Sequence, residues 1–465
     1  MLRLFNVYIP TSVVALLISE VTLLLTCYLI ANAVMLNVDL GVLYLYDGAV
    51  TRQSLAILSI VVGMYFQDMY TQFRVRSRLI LLQQVCLAIG MAFLLQAVLN
   101  YIAPQFLVSR WVMLVGSLLA LVVMPVWRVI YANEVTKAVA AQRILFIGAN
   151  PVILEIAAEI DRSPELGLRY AGFLSDEPIP ELETLASGAS VLGPVADVKS
   201  VVERVKPERI VVGLTERRER LPVNDLLDLR FSGVHIEQAG ILYEATFGRV
   251  STRELRPSEL IFSAELGPRP SSVQFQMVYS FLAGLILLIL AAPVMVLVAI
   301  LVKLTSPGPV FYKQTRMGVD DVPFTVMKFR SMRTDAEAKT GAVWATRNDP
   351  RVTPLGKWLR KLRLDELPQL FNVLKGDMSM VGPRPERPEF TRLLEEKIPF
   401  YRQRTCVKPG LTGWAQINHK YGDTIEDTIA KLEYDLYYIK NLSFALDMYI
   451  IFSTVKIVVL GRGAQ

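Results

Sequence analysis

Residues 281–302 read FLAGLILLILAAPVMVLVAILV, an unbroken apolar run with one proline, Pro293, near its middle. At about 1.5 Å per residue, a helix of this length could just cross a hydrocarbon core of about 30 Å. A proline inside a helix removes one backbone hydrogen bond and clashes with the preceding turn. The run therefore predicts either a membrane-spanning helix or a helix that is interrupted at Pro293 and returns to the side from which it entered.

Basic residues flank both ends of this run. They are Arg253, Arg256 and Arg269 before it, and Lys303, Lys313 and Arg316 after it. Lys and Arg concentrate on the cytoplasmic side of membrane segments, so both flanks are expected in the cytoplasm. We therefore favour an interrupted, re-entrant segment at residues 281–302, and a full span is the alternative.

The composition is that of a membrane protein. Of the 465 residues, 53% are hydrophobic and 20% are charged, and the mean hydropathy is +0.40. These values are too apolar for an ordinary soluble enzyme, and the length suits two or three domains. The net charge of +6 is modest and spread along the chain, which favours contact with lipid headgroups and phosphates and argues against a nucleic-acid partner.

Four further apolar segments come first, at about residues 11–34, 54–70, 79–101 and 106–129. Each is close to the roughly 20 residues that a bilayer requires, so residues 1–140 are predicted to form a four-helix transmembrane region. Most of their flanking basic residues follow the second and fourth segments, at Arg74, Arg76, Arg78, Arg128, Lys137 and Arg143. Both ends of the region are therefore expected in the cytoplasm. For Glu20 and Arg110, we favour packing inside the bundle or snorkelling over a polar functional site.

An α/β domain is predicted at residues 141–250. Strands are indicated at residues 143–150, 170–174, 209–213 and 234–238, with an amphipathic helix after the first. This alternation is typical of a small doubly wound, Rossmann-like domain. The dinucleotide fingerprint is broken, because only Gly148 fits it and Asn150 and Ile153 stand at its other glycine positions, so a dinucleotide site is disfavoured. A linker is expected at residues 251–273.

Two adjacent carboxylates mark the C-terminal part, in the stretch LRLDELPQ at residues 362–369. Apolar residues recur at helical spacing behind them and Gly376 stands where a helix would be capped, so a helix is predicted from about Glu366 to Lys375. That helix would place Asp365 at or next to the N-cap, where a carboxylate and a bound phosphate are both favoured. From this segment alone, simple helix capping by Asp365 is an equally good interpretation.

The surrounding sequence is rich in cations beside Gly and Pro. The motifs are KFRSM (328–332), DPR (349–351), LRK (359–361), VGPRP (381–385) and KPGLTGW (408–414). Guanidinium groups suit bidentate contacts with phosphate oxygens. The candidate phosphate-binding or substrate-binding residues are Lys328, Arg330, Arg360, Arg363 and Arg384.

These motifs, in this order, resemble the bacterial sugar transferase family, the polyprenyl-phosphate hexose-1-phosphate transferases. The similarity extends over about residues 281–465, with KFRSM, LDELPQLFNVLKGDMSMVGPRP and VKPGLTGWAQIN in the family's order. It implies that Asp365 attacks the sugar-bearing phosphorus of a UDP-sugar and that Glu366 is a ligand of Mg²⁺. It also implies transfer to undecaprenyl phosphate with release of UMP, and phosphate contacts from Arg360 and Arg384.

The same resemblance implies the overall plan. The expected fold is an α-helical membrane protein with a Rossmann-like cytoplasmic domain and a monotopic catalytic domain, residues 274–465, that carries the re-entrant helix. The active site would face the cytoplasm at the bacterial inner membrane. Among the larger family members glucose is the expected sugar and exopolysaccharide assembly the expected pathway, and a homodimer is suggested. The apolar stretches at residues 434–439 and 444–460 are predicted to be interfacial helices.

Two other functions remain open from the residues. A membrane scaffold or sensor, with a ligand-binding Rossmann-like domain and no catalysis, would also explain the broken fingerprint. It gives no reason for the cations around the two carboxylates. A sugar-nucleotide oxidoreductase or dehydratase would need a dinucleotide site, which Gly148 alone does not provide.

Overall fold

The structure is a computed structural model that describes residues 2–4, 7–36, 40–45, 48–70, 78–132, 142–163, 166–185, 189–214, 221–253, 255, 267–334, 336, 349–419 and 424–460. Its contacts divide the chain into two compact units. The first unit contains Met1–Leu2 and Ile9–Glu237, and the second contains Arg3–Tyr8 and Gln238–Gln465. Arg74, Arg76 and Lys137, which support the predicted orientation, lie outside the described residues.

The first unit begins with a helical region. Its helices are α1 (Thr11–Met35), α2 (Leu40–Leu45), α3 (Ala49–Phe66), α4 (Arg78–Ile102) and α5 (Arg110–Ile130), and the short strands β1 (Leu2–Leu4) and β2 (Val7–Ile9) that precede them fall mostly in the second unit. The four long helices are each long and apolar enough to cross a membrane, which confirms the four predicted segments. Small residues let them approach closely, since a Cβ added to Gly63 on α3 would lie 2.4 Å from the carbonyl oxygen of Ala88 on α4.

A buried ion pair joins α1 and α5. Arg128 donates from Nε to Glu20 Oε1 at 2.6 Å and from Nη2 to Oε2 at 3.1 Å, and its Nη1 reaches the carbonyl oxygen of Met69 at 2.7 Å. Glu20 is fully buried, so the prediction that it is satisfied by packing inside the bundle is confirmed. Arg128, one of the basic residues used to predict the orientation, turns its guanidinium inward to neutralise Glu20, and the orientation itself stays a prediction.

The α/β part of the first unit follows. Its elements are β3 (Gln142–Ile147), α6 (Pro151–Arg162), β4 (Leu168–Leu174), β5 (Val191–Gly193), α7 (Val198–Val205), β6 (Arg209–Val212), α8 (Val223–Phe231) and β7 (His235–Gln238). The strand order is β5-β4-β3-β6-β7, and β3 pairs in parallel with both β4 and β6. The parallel-sheet domain predicted from the alternating pattern is thus confirmed, with β5 missed because three residues are too few to show a period.

The broken fingerprint has a local explanation in this sheet. Asn150 caps α6 by accepting a hydrogen bond from the backbone N–H of Ile153 at 2.9 Å. Ile153 is fully buried, and a Cβ on Gly213 would lie 2.3 Å from its Cδ1. The side chains at the second and third glycine positions therefore serve the cap and the packing between α6 and the sheet.

The second unit holds the remaining elements. They are α9 (Ala239–Phe247), α10 (Pro270–Thr305), β8 (Phe311–Met317), β9 (Pro323–Phe329), α11 (Pro354–Lys361), α12 (Gln369–Lys375), β10 (Ser379–Val381), α13 (Pro388–Lys397), β11 (Gly410–Thr412), α14 (Trp414–Asn418), α15 (Ile425–Lys440) and α16 (Phe444–Val459). Strands β8 and β9 form an antiparallel hairpin, whereas β10 and β11 pair in parallel. One core surrounds β10, α12, α15 and α16.

Helix α10 is longer than the apolar run suggested. It is one helix of 36 residues with Pro293 inside it, so the proline does not divide residues 281–302 into two helices. Near its N-terminal end, a Cβ on Gly284 would lie 3.1 Å from Val373 on α12. Near its C-terminal end, Val298 and Val302 pack in a cluster with Phe329 and Leu359. Both halves of α10 therefore pack against the same folded unit.

The last two helices belong to the core. Tyr437 and Tyr438 on α15 and Leu446 and Ile450 on α16 are at most 1% exposed. These faces pack against one another and against β10, whereas Phe444, Phe452 and Val455 on α16 are exposed, so the assignment of interfacial helices stays a prediction. The burial of these faces also explains how Asp447 can lie inside an apolar helix, since its carboxylate is turned into the same core.

Candidate active site

The Asp365-Glu366 pair lies in a tight turn. Leu364–Glu366 form a single 3₁₀ turn entered through Arg363, whose φ of +56° is left-handed, and both carboxylates are buried. The N-cap of α12 is Pro368, so the prediction that Asp365 caps this helix was wrong. Proline has no N–H to donate, and the Leu364 carbonyl oxygen instead accepts from Leu367 N at 3.3 Å, which tightens the chain into the 3₁₀ form.

Glu366 is surrounded by cations. Its Oε1 accepts from Lys328 Nζ at 2.8 Å and from Arg384 Nη2 at 2.9 Å, and its Oε2 lies 3.8 Å from Arg363 Nη1. Burial alone would raise the pKa of Glu366, but Lys328, Arg384 and Arg363 hold it well below its usual range. These cations therefore favour the ionised form of Glu366.

Asp365 has the opposite environment. Its Oδ1 is buried and has no hydrogen-bond partner among the described residues. Burial and the negative charge of Glu366 raise the pKa of Asp365, and Lys328, Arg360 and Arg363 oppose that shift only in part. Neighbouring carboxylates with pKa values driven apart are typical of acid–base and nucleophilic sites. Asp365 is thus a carboxylate whose oxygen is committed to no partner in the fold.

Four of the five predicted cations converge on this pair. Lys328 on β9, Arg363 in the turn and Arg384 after β10 contact Glu366 directly. Arg360 on α11 is held by a hydrogen bond from its Nε to Ser331 Oγ at 3.0 Å, and its charge lowers the pKa of Asp365. Three separate segments of the chain therefore contribute positive charge to one small site.

Arg330 is placed elsewhere. Its guanidinium donates to the carbonyl oxygens of Ser306 at 2.7 Å and Pro307 at 2.8 Å, and to Ser306 Oγ at 2.7 Å. Arg330 is 5% exposed and satisfies the C-terminal end of α10, where a cation is favoured. The predicted phosphate-binding role is not supported by this position.

Sequence reasoning missed the residues that hold Arg384. Arg404 is buried and donates from Nη2 to the carbonyl oxygen of Arg384 at 3.0 Å and to Asp435 Oδ2 at 2.8 Å, while its Nη1 donates to Tyr401 Oη at 2.7 Å. Burial raises the pKa of Asp435 to about 6 against the opposing effect of Arg404. A lone Asp in the aromatic stretch of α15 was the available signal, since a buried carboxylate needs a partner.

The described residues contain no group of three or more His, Cys, Asp or Glu side chains that could hold a metal ion. A divalent cation at this site would therefore depend on ligands from its substrate in addition to the Asp365-Glu366 pair.

Two family models match this chain. The family model described as "Bacterial sugar transferase" matches residues 271–461, and that described as "CoA-binding domain" matches residues 65–237. The UDP-glucose:undecaprenyl-phosphate glucose-1-phosphate transferase of Xanthomonas campestris pv. campestris is 33% identical over 396 residues, which cover 80% of this chain and 78% of that protein. The chain belongs to the bacterial sugar transferase family.

Other relatives match this sugar transferase over shorter regions. The UDP-N-acetylgalactosamine-undecaprenyl-phosphate N-acetylgalactosaminephosphotransferase of Aeromonas hydrophila is 45% identical over 231 residues, or 50% of this chain and 53% of that protein. The undecaprenyl-phosphate glucose phosphotransferase of Komagataeibacter xylinus is 46% identical over 191 residues, or 40% of this chain and 36% of that protein. The matches thus span about half and about a third of the length of these two relatives.

Proposed function

We propose that this sugar transferase moves a hexose 1-phosphate from a UDP-sugar to undecaprenyl phosphate and releases UMP. This reaction would be the first step of lipid-linked exopolysaccharide assembly. The observation that carries the proposal is the unequal state of the two carboxylates, with Glu366 neutralised by Lys328 and Arg384 and Asp365 buried without a partner for Oδ1. A nucleophile needs an uncommitted oxygen, and two anionic substrates need nearby cations.

The chemistry follows in two displacements. An oxygen of Asp365 attacks the sugar-bearing phosphorus, a P–O bond to the bridging oxygen breaks, and UMP leaves with that oxygen. The phosphate oxygen of undecaprenyl phosphate then attacks the same phosphorus and displaces the Asp365 carboxylate, which regenerates the enzyme. Lys328, Arg360, Arg363 and Arg384 would bind and orient the phosphate groups and offset their charge.

Mg²⁺ suits these residues. It is usually held in proteins by one or two carboxylates together with substrate phosphates and water, and Asp365 Oδ1 is a buried acceptor without a partner among the described residues. Glu366 would be its protein ligand, because its Oε2 meets Arg363 at 3.8 Å, too far for a hydrogen bond. When bound, the ion would neutralise negative charge on the diphosphate.

A placement of α10 on one side of the membrane, without a full crossing, would explain its contacts. A straight helix of 36 residues is about 54 Å long, more than a bilayer core requires. Both its N-terminal and C-terminal halves pack against the folded second unit, while its other face exposes large apolar side chains such as Phe281, Leu290 and Leu297. We infer that α10 enters the cytoplasmic leaflet of the bacterial inner membrane and that the active site stays on the cytoplasmic side, where nucleotide sugars are made.

The proposed donor is UDP-glucose. Two of the relatives compared above are named as glucose transferases and one as an N-acetylgalactosamine transferase. A glucose donor is favoured by the Xanthomonas relative, because its match covers most of both chains.

UMP release tests the proposal. Purified protein with Mg²⁺ and undecaprenyl phosphate should release UMP from UDP-glucose faster than from UDP-galactose or UDP-N-acetylgalactosamine. Asp365→Asn should abolish release, whereas the matched variant Asp377→Asn, which alters a carboxylate paired with Lys375 outside the pair, should retain it. Turnover that survives in Asp365→Asn would exclude the nucleophile assignment. A native protein that releases no UMP from any of the donors would favour a non-catalytic scaffold.

A further inference from the structure

A second buried carboxylate in this unit has no role in the chemistry above. Asp447 on α16 is fully buried, and its Oδ2 accepts hydrogen bonds from Gln276 Nε2 at 2.7 Å and from the Tyr279 hydroxyl. Its Oδ1 accepts from the Tyr438 hydroxyl at 2.9 Å. No Lys or Arg among the described residues forms an ion pair with Asp447, so three neutral donors alone offset the burial of its charge.

The donors come from two helices of different character. Gln276 and Tyr279 lie on the N-terminal part of α10, the helix that exposes apolar side chains along its other face, and Tyr438 lies on α15 in the core. Asp447 therefore joins the apolar membrane helix to the folded body of the catalytic unit.

The same groups reach the loop that carries Arg384. The carbonyl oxygen of Val381 accepts from Gln276 Nε2 at 3.2 Å and lies 3.2 Å from the Tyr438 hydroxyl, whose one proton is donated to Asp447. Val381 ends β10, three residues before Arg384, whose Nη2 contacts Glu366 at 2.9 Å. One continuous set of hydrogen bonds thus runs from α10 through Val381 to the cation beside the reactive pair.

The Arg384 loop has a separate support that does not involve α10. Arg404 donates to the carbonyl oxygen of Arg384 from the core side, and Asp435 accepts a hydrogen bond from the same guanidinium group. The loop is therefore fixed at two points, one through the membrane helix and one through the interior, and the two supports can be altered independently.

We propose that Gln276, Tyr438 and Asp447 are positioning residues. Through them, the position of α10 in the bilayer influences the position of Arg384 at the reaction centre. The inference rests on the proposed function. The UDP-sugar reaches the site from water, whereas undecaprenyl phosphate reaches it from the bilayer beside α10. Loosening the link between α10 and the loop should therefore weaken use of the lipid acceptor more than formation of the aspartyl intermediate.

Gln276→Leu tests the coupling because leucine has a similar volume and cannot donate to Asp447 or Val381. In full-length protein in nanodiscs, the burst of UMP formed from UDP-glucose without acceptor should stay within about twofold of the native burst. The KM for undecaprenyl phosphate should rise about three- to tenfold, the range expected for a lost buried hydrogen bond. Arg404→Lys, which weakens the other support, should reduce the burst rate and turnover together.

A double variant that exchanges the Gln276 amide and the Asp447 carboxylate should restore the KM for the lipid acceptor. Gln276→Glu alone places two carboxylates side by side and should raise the acceptor KM further, while Gln276→Glu with Asp447→Asn restores one carboxylate and one amide and should recover most of that loss. Thermal unfolding of each variant monitors the fold.

Several results would overturn the inference. An unchanged acceptor KM in Gln276→Leu, an equal loss of burst and acceptor use, or absence of recovery in the double variant would each show that the cluster only stabilises the fold. A native protein without any UMP burst would instead contradict the proposed function itself.

Discussion

The two regions that bury charge in this protein do so in opposite ways. In the helical bundle both carboxylate oxygens of Glu20 accept hydrogen bonds from Arg128, and the remaining guanidinium nitrogen of Arg128 donates to the carbonyl oxygen of Met69. In the catalytic unit Glu366 attracts several cations while its neighbour Asp365 keeps an oxygen without a partner. A balanced buried pair holds helices together, and an unbalanced one leaves a reactive group available.

The largest effect is expected from Asp365→Asn. Turnover should fall by at least about 10⁴-fold, as for other essential nucleophiles, because an amide cannot attack phosphorus. The melting temperature should rise by a few degrees, since burial and Glu366 both disfavour the Asp365 charge. Scanning calorimetry beside the UMP assay measures both quantities. A clear loss of stability would mean that Asp365 is a structural residue like Glu20.

Substitution in the Glu20–Arg128 pair should have the opposite effect, a loss of stability without a loss of activity. Glu20→Ala leaves the Arg128 guanidinium buried without its partner and should lower the free energy of unfolding by about 3–5 kcal/mol. UMP release per folded molecule should be unchanged, because the pair takes no part in the chemistry. Thermal unfolding in detergent with activity normalised to folded protein checks this expectation. The double variant Glu20→Met with Arg128→Met is the control, and its loss of stability should be smaller.

The third expectation concerns Asp447 and pH. Burial raises the pKa of Asp447 to about 6, above its ordinary value of 3.8, so the folded state binds the proton more tightly than the unfolded chain. Its charged form therefore disfavours the folded state increasingly as the pH rises from about 4 to 6, by up to about 3 kcal/mol. Among the described residues, Tyr279, Tyr438 and Gln276 donate hydrogen bonds to this carboxylate.

The difference in melting temperature between the native protein and Asp447→Asn isolates this contribution from the other carboxylates. Relative to the variant, the native protein should lose stability between pH 4 and pH 6. A difference that does not vary with pH would show that Asp447 is already ionised at pH 4.

The smallest effect is a shift in the pH dependence of catalysis. Lys328 lowers the pKa of Asp365, and Lys328→Met should therefore raise it further. Since attack needs ionised Asp365, activity is present above this pKa and lost as the pH falls through it, so the acid limb of kcat/KM should move to higher pH. Lys375→Met, at an exposed lysine paired with Asp377, is the control that should leave the limb in place.

Much of the plan was predictable from sequence because it rests on local patterns. Apolar segments of bilayer length predicted the four bundle helices, and the alternation of strands and helices predicted the parallel sheet. The ordered motifs around Asp365 and Glu366 predicted a shared site for Lys328, Arg363 and Arg384, and the structure brings these three side chains into contact with Glu366.

At three positions, long-range contacts decided a side chain's partner or a helix boundary that local sequence did not reveal. Arg330 stands in a motif of cations, yet the free carbonyl oxygens at the end of α10 bind it. Arg128 follows the usual pattern of a flanking charge, yet Glu20, 108 residues earlier, draws it inward. Asp365 precedes a helical pattern, yet Pro368 lacks the N–H that an earlier helix start would use.

By itself, the sequence determined which residues can do chemistry and which segments are apolar enough for a membrane, since side-chain type and spacing are local properties. Only the tertiary structure decided that Glu366 is neutralised while Asp365 is left uncommitted, and that Asp447 links α10 to the Arg384 loop. Those properties depend on which distant groups share a buried site, where the cost of an unpaired charge is high and each partner changes the state of its neighbours.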